Sequence, residues 1–152
     1  ELSWIREGGV ETGQGVKANE YLETNAPDVW AAGDVAEFTD TTVGRQRVVG
    51  TWMNAQMQGR LVAGNMAGER QAFALVSSHA TQLLGTSIVF VGDAMRERAD
   101  ETRAFGDGAT GIVQLFARQG KLVGATLVGT VIRRQHVTDL IKEGRTIADF
   151  SL

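Results

Sequence analysis

The chain has 152 residues, 43% apolar and 22% charged, enough for one domain or two small lobes with a real core. Its net charge of −3 gives no basic field to attract nucleic acid or anionic lipid, and no apolar run reaches the length of a membrane span. The absence of cysteine excludes a disulfide, a thiolate metal site and a redox-active Cys pair within this chain. Nineteen glycines stand against a single proline, many of them at the ends of apolar runs, which suits the tight turns of an α/β or α+β fold. No signal peptide is visible, and the expected location is cytoplasmic. The sequence opens at Glu1 without an initiator Met, so a fragment of a longer protein is expected.

In chain order, residues 1–23 are polar, with turn signals at Gly8-Gly9 and Gly13-Gln14-Gly15 and a short strand predicted over 16–19. Thr24-Asn25-Ala26-Pro27-Asp28 is a turn cluster. Val29-Trp30-Ala31-Ala32 is an apolar run of strand length that stops at Gly33-Asp34, which predicts a buried strand ending in a sharp turn. Residues 38–50, with the basic pair Arg45 and Arg47, read as a loop. A helix follows from Thr51, its N-cap, to about residue 67, with Ala55, Gly59 and Ala63 stacked on one small-residue face and Gly68 as C-cap. Residues 87–91 are β-branched and bounded by Gly85 and Gly92, a strand. Residues 94–108 are charged and read as a loop. Residues 110–117 and 122–128 predict a hairpin closed by Arg118-Gln119-Gly120-Lys121. The last helix is predicted over 131–143, with Val137, Leu140 and Ile141 on its apolar face and Gly144 as its stop. The second half is thus a small α+β lobe beginning between residues 68 and 73.

Gly33-Asp34 is the segment with chemical potential. Gly33 lets the backbone turn and approach an extended ligand. Asp34 is expected at the carboxyl end of a strand, where ligands of open α/β sheets bind, and its carboxylate can accept hydrogen bonds from sugar-like hydroxyls. The helix starting at Thr51 adds N–H groups and a dipole that favour negative charge. An apolar-Gly-Asp triplet alone is common; Val91-Gly92-Asp93 is a second copy, and a plain turn explains such a triplet in isolation.

The context of the first copy is more specific. Thr24-Asn25-Ala26-Pro27-Asp28-Val29-Trp30-Ala31-Ala32-Gly33-Asp34 resembles the second FAD-binding motif of the two-dinucleotide-domain flavoproteins, the pyridine nucleotide-disulfide oxidoreductase family. Trp52-Met53-Asn54-Ala55-Gln56-Met57-Gln58-Gly59-Arg60 resembles the helix that follows the motif there. The nearest types are NAD(P)H-dependent nitrite reductase, rubredoxin reductase and NADH oxidase. The resemblance implies an α+β / α/β fold: a remnant of an FAD-binding dinucleotide fold over residues 1–70, then an α+β dimerisation or interface domain over 71–152. It implies that Gly33 and Asp34 meet the ribityl or diphosphate region of FAD. The backbone at Thr51, Trp52 and Met53 would then meet the flavin pyrimidine. Trp52 would pack either on the isoalloxazine or in the core, and Arg45 and Arg47 would either touch nicotinamide nucleotide or an acceptor protein or sit in a solvated loop. Electrons would pass from NAD(P)H through FAD to a redox protein or small acceptor, and a homodimer is one expected state.

The family's two dinucleotide folds, each opened by a Gly-x-Gly-x-x-Gly strand-turn-helix, are missing. Gly13-Gln14-Gly15-Val16-Lys17-Ala18 fits the looser form, but no apolar strand precedes it and no helix opens from it, so it reads as a turn. The isolated chain is therefore expected to bind FAD weakly or not at all, and to lack reductase activity. The His-Pro-Thr phrase of the disulfide reductases is absent, His79 and His136 read as structural or surface residues, and no cluster has metal-ligand spacing. Two alternatives stand beside this reading. One is an interaction module that uses residues 73–150 and the edge of the 110–128 hairpin. The other is an unrelated α/β domain.

Overall fold

The computed structural model describes residues 1–129 and 134–151, and it divides into two compact units, Glu1–Leu75 and Val76–Leu152.

The first unit holds helix α1 (Ser3–Glu7), strands β1 (Val16–Ala18), β2 (Ala36–Asp40) and β3 (Arg45–Arg47), and helix α2 (Trp52–Met66). β1 runs parallel to β2, and β2 pairs antiparallel with β3. The strict alternation of β2 turns Ala36, Phe38 and Asp40 inward. Phe38 meets Phe73 edge-on at 5.4 Å, and Leu22, Ala31, Val49 and Val62 complete this core. Burying each of the larger side chains contributes about 1.5–3 kcal/mol.

Three expectations change here. Residues 29–32 make only one bridge, Glu23 to Trp30, and no ladder; the chain then passes through a 3₁₀ turn, Gly33–Val35, straight into β2. Asp34 therefore precedes a strand and does not cap the end of one. Residues 38–50 contain the rest of β2 and β3. Helix α1 was not legible because none of its five residues is buried, so it has no apolar stripe.

The second unit is a five-stranded antiparallel sheet in the order β4-β5-β8-β7-β6. Its strands are β4 (Ser78–Leu83), β5 (Thr86–Gly92), β6 (Glu101–Asp107), β7 (Gly111–Arg118) and β8 (Lys121–Val128). Helix α3 (Arg134–Lys142) buries Val137, Leu140 and Ile141 and packs on β5 and β8. Residues 131–133 of the expected helix lie outside the described residues. The β7–β8 hairpin forms as expected, closed by Gln119 and Gly120, both at positive φ. It offers no free edge, because β6 and β5 flank it on both sides; the sheet edges are β4 and β6. Residues 94–108 are not a loop but a 3₁₀ turn, Arg96–Arg98, followed by β6.

The second Gly-Asp copy is a structural corner. Gly92 has φ +65°, and a side chain there would collide with the Val123 carbonyl. Asp93 is buried and pairs with Arg118 at 3.0 Å and with Arg98 at 3.6 Å. Among the described residues no helix is long and apolar enough to cross a membrane, and no His/Cys/Asp/Glu group is placed to hold a metal.

Candidate functional site

The 24–34 segment is held mostly by its own polar residues. The Thr24 N–H and Oγ1 both donate to the Val29 carbonyl at 2.9 Å, and Thr24 Oγ1 accepts from the Ala26 N–H at 3.2 Å. Asn25 reaches back to the preceding loop: its Oδ1 accepts from the Glu11 N–H at 2.8 Å, and its Nδ2 donates to the Gly9 carbonyl at 2.9 Å. Both residues spend their polar atoms within the segment and on the loop before it.

Gly33 is buried with φ +82°, and a methyl group in its place would lie 3.5 Å from the Ala55 Cβ of α2. Its N–H donates to Gln58 Oε1 at 2.6 Å. Asp34 is exposed, and its carboxyl carbon comes within 4.0 Å of where a Gly50 side chain would begin. Gly50 directly precedes Thr51, whose Oγ1 accepts from the Asn54 N–H at 3.3 Å as the N-cap of α2. The N–H groups of Trp52 and Met53 carry no acceptor among the described residues. A carboxylate and a helix N-terminus thus meet at Gly50-Thr51, bringing Gly33, Asp34, Thr51, Trp52 and Met53 into one locality. Trp52 is 77% exposed, so it is not a core aromatic.

The buried face of α2 lies one position before the small-residue stripe. α2 buries Asn54, Gln58 and Val62, spaced by four, while Gly59 faces open space. Of the expected stripe, Ala55 approaches a backbone, that of Gly33. Gln58 is fully buried, yet its Nε2 has no partner among the described residues. An unpaired buried amide donor costs about 1–3 kcal/mol. Two amides on the inward face of a helix are the sequence signal for this region, and the polar character of Gln58 hid it.

Arg45 and Arg47 lie on β3 rather than in a loop. Arg47 pairs at 3.6 Å with Asp40, which is 4% exposed, and Arg45 Nη1 donates to the Gln46 carbonyl. Burial pushes the Asp40 carboxyl above its usual range; Arg47 and the N–H groups of Thr42 and Val43 pull it back in part. The Gly13–Gly15 stretch is a turn from which no helix opens; the Gly15 N–H donates to Glu37 Oε2 at 3.1 Å. His79 stacks on Phe90, and His136 packs against Phe150.

A profile of the family described as "Pyridine nucleotide-disulphide oxidoreductase" matches residues 1–59, which contain the 24–34 segment and the start of α2. Residues 1–59 are similar to that family. The chain is 30% identical over 138 residues to the ferredoxin–NAD(+) reductase component of the biphenyl dioxygenase system of Paraburkholderia xenovorans, covering 90% of this chain and 33% of that protein. It is 25% identical over 131 residues to NADH-rubredoxin oxidoreductase of Clostridium acetobutylicum, covering 86% and 33%. A ferredoxin reductase from Rhodopseudomonas palustris shares the fold, with a TM-score of 0.78 at 21% identity over 97% of this chain and 36% of that one. The chain spans about a third of the length of the curated relatives it matches. The shared fold bears out the α+β / α/β expectation.

Proposed function

We propose that this chain supplies the C-terminal part of an FAD-dependent NAD(P)H oxidoreductase that delivers electrons to a small redox protein. The observation that carries this reading is the approach of the Asp34 carboxyl to Gly50, just before the Thr51 N-cap of α2 and the Trp52 and Met53 N–H groups, beside the buried Gly33 turn. FAD, when bound, supplies the redox chemistry. The residues present fit it: Asp34 would accept from ribityl hydroxyls, and Gly33 would give the close backbone approach. The N–H groups of Trp52 and Met53 would hold the pyrimidine edge of the flavin, where the helix dipole favours negative charge. The orphan Gln58 Nε2 marks a locality that still lacks an oxygen acceptor.

The names of the relatives, a ferredoxin–NAD(+) reductase and an NADH-rubredoxin oxidoreductase, support a nicotinamide donor and an acceptor protein of the ferredoxin or rubredoxin kind. Residues 1–70 are read as the end of the FAD-binding domain and 71–152 as the interface domain. The chain covers a third of its relatives, and its one Gly-x-Gly-x-x-Gly string, residues 106–111, joins β6 to β7 and opens no helix, so alone the chain is expected to bind FAD weakly or not at all and to lack reductase activity.

The test uses the intact protein that carries this chain. It should purify with a flavin spectrum that NADH or NADPH bleaches under anaerobic conditions. Asp34→Ala should lower flavin occupancy while shifting apoprotein stability by no more than about 0.5 kcal/mol, because Asp34 is exposed. A wild-type protein without flavin, or an Asp34→Ala variant with full flavin and unchanged affinity, would sink the reading.

A further inference from the structure

We infer that Gln58 is a positioning residue for the cofactor locality: from the buried face of α2 it holds the Gly33–Asp34 turn in the shape that presents Asp34. The inference rests on the FAD reading above. Gly33 is buried, so its N–H needs an acceptor. The acceptor is Gln58 Oε1 at 2.6 Å, 25 positions further along the chain. Gly33 sits at φ +82°, a conformation that the local sequence does not enforce once glycine is free to choose. The side chain from α2 selects it. The next residue is Asp34, with its carboxyl beside Gly50 at the start of the same helix. Gln58 therefore ties together the two halves of the site, the turn that carries the carboxylate and the helix that offers its N-terminal N–H groups.

Burial alone does not account for a glutamine here. Asn54, one turn earlier on the same buried stripe, uses its Nδ2 on the Val49 carbonyl. Gln58 uses only its Oε1, and its Nε2 has no partner among the described residues. A residue retained only to fill space would be apolar like Val62, the third member of the stripe. The position is specified by the acceptor it gives to Gly33.

The test has two arms. In this chain, amide hydrogen exchange compares wild type with Gln58→Leu, which keeps the bulk and removes the acceptor. In the intact reductase, FAD affinity is measured by reconstituting the apoprotein. Loss of the clamp should speed exchange at Gly33 by about tenfold or more, leave Phe38 and Val62 protected, and weaken FAD binding by about tenfold. Unchanged Gly33 exchange would overturn the clamp. Faster Gly33 exchange with unchanged FAD affinity would overturn its positioning role. If Gln58→Leu also loses protection at Phe38, Gln58→Glu, which retains an acceptor oxygen, replaces it; it should keep both Gly33 protection and FAD affinity, and losing both would overturn the proposal. If the wild-type reductase takes up no FAD, the FAD reading fails and the positioning role falls with it. The exchange arm then still shows whether the clamp itself exists, which separates the two failures.

Discussion

Gly33 combines a burial demand with a conformational one. Its φ of +82° excludes most side chains, while the 3.5 Å gap to the Ala55 Cβ leaves room for a methyl group. Strain and overpacking can therefore be separated at this site. Gly33→Ala should cost about 1–2 kcal/mol, the penalty of a left-handed conformation for an L-residue, with no overpacking penalty added. The midpoint of urea unfolding at constant m-value reads it directly. A cost near zero would mean that the turn relaxes out of the left-handed region. At this scale the sequence showed which residues form the motif but not what most of them do. Thr24 and Asn25 read as part of a turn cluster, and the structure adds their partners, the Val29 carbonyl and the 9–11 loop. Gln58 was invisible because a polar residue in a helix looks like surface, and only the fold shows that its acceptor is taken by a buried N–H.

Elements were legible where burial left a pattern. β5, β7 and β8 are interior strands with β-branched, apolar runs, and α3 shows its buried triad. β4 and β6 were missed because they are the sheet edges and expose most of their residues, so no alternation survives. β2 does alternate, but Asp40 sits at an inward position and breaks the apolar rhythm; Arg47 on β3 makes that burial tolerable. The corner after β5 shows how a polar cluster can fix an element boundary. Asp93, 2% exposed, draws Arg118 from β7 and Arg98 from the following 3₁₀ turn. Asp93→Ala takes the carboxylate away from Arg118, which is itself mostly buried and keeps its Nε bond to the Arg98 carbonyl, whereas the Arg98 side chain can turn to solvent. The expected loss is about 3 kcal/mol, at the lower end of the range for breaking a buried pair. Thermal unfolding should show it, and restoring charge balance with Asp93→Ala plus Arg118→Met should recover part of it. A loss below about 1 kcal/mol would place the pair among surface salt bridges instead.

Three carboxyls pull the two units in opposite directions as pH falls. In the second unit, Asp107 accepts from the N–H groups of Ala109 and Thr110 and from the Thr110 hydroxyl, and these bonds hold its carboxyl below the usual 3.8. Asp149 accepts from the Thr146 N–H and hydroxyl, which likewise holds it low. A carboxyl that is depressed in the folded state stabilises above its unfolded value and loses that contribution as pH falls through the folded one. Both groups therefore weaken the second unit below about pH 3.8. In the first unit, burial raises Asp40. Its contribution has the reverse sign: it is fully present below 3.8 and is lost as pH rises through the raised value. Acidification from neutral thus favours the first unit at Asp40 while it removes the two turn caps from the second. Hydrogen exchange between pH 5 and 2.5 should show protection at Val113 and Leu115 falling before protection at Phe38 and Val62. Asp40→Asn, which holds that position uncharged at every pH, should remove the first unit's gain on acidification without changing the second. If Phe38 and Leu115 lose protection at the same pH in wild type and variant alike, these three carboxyls do not set the acid response.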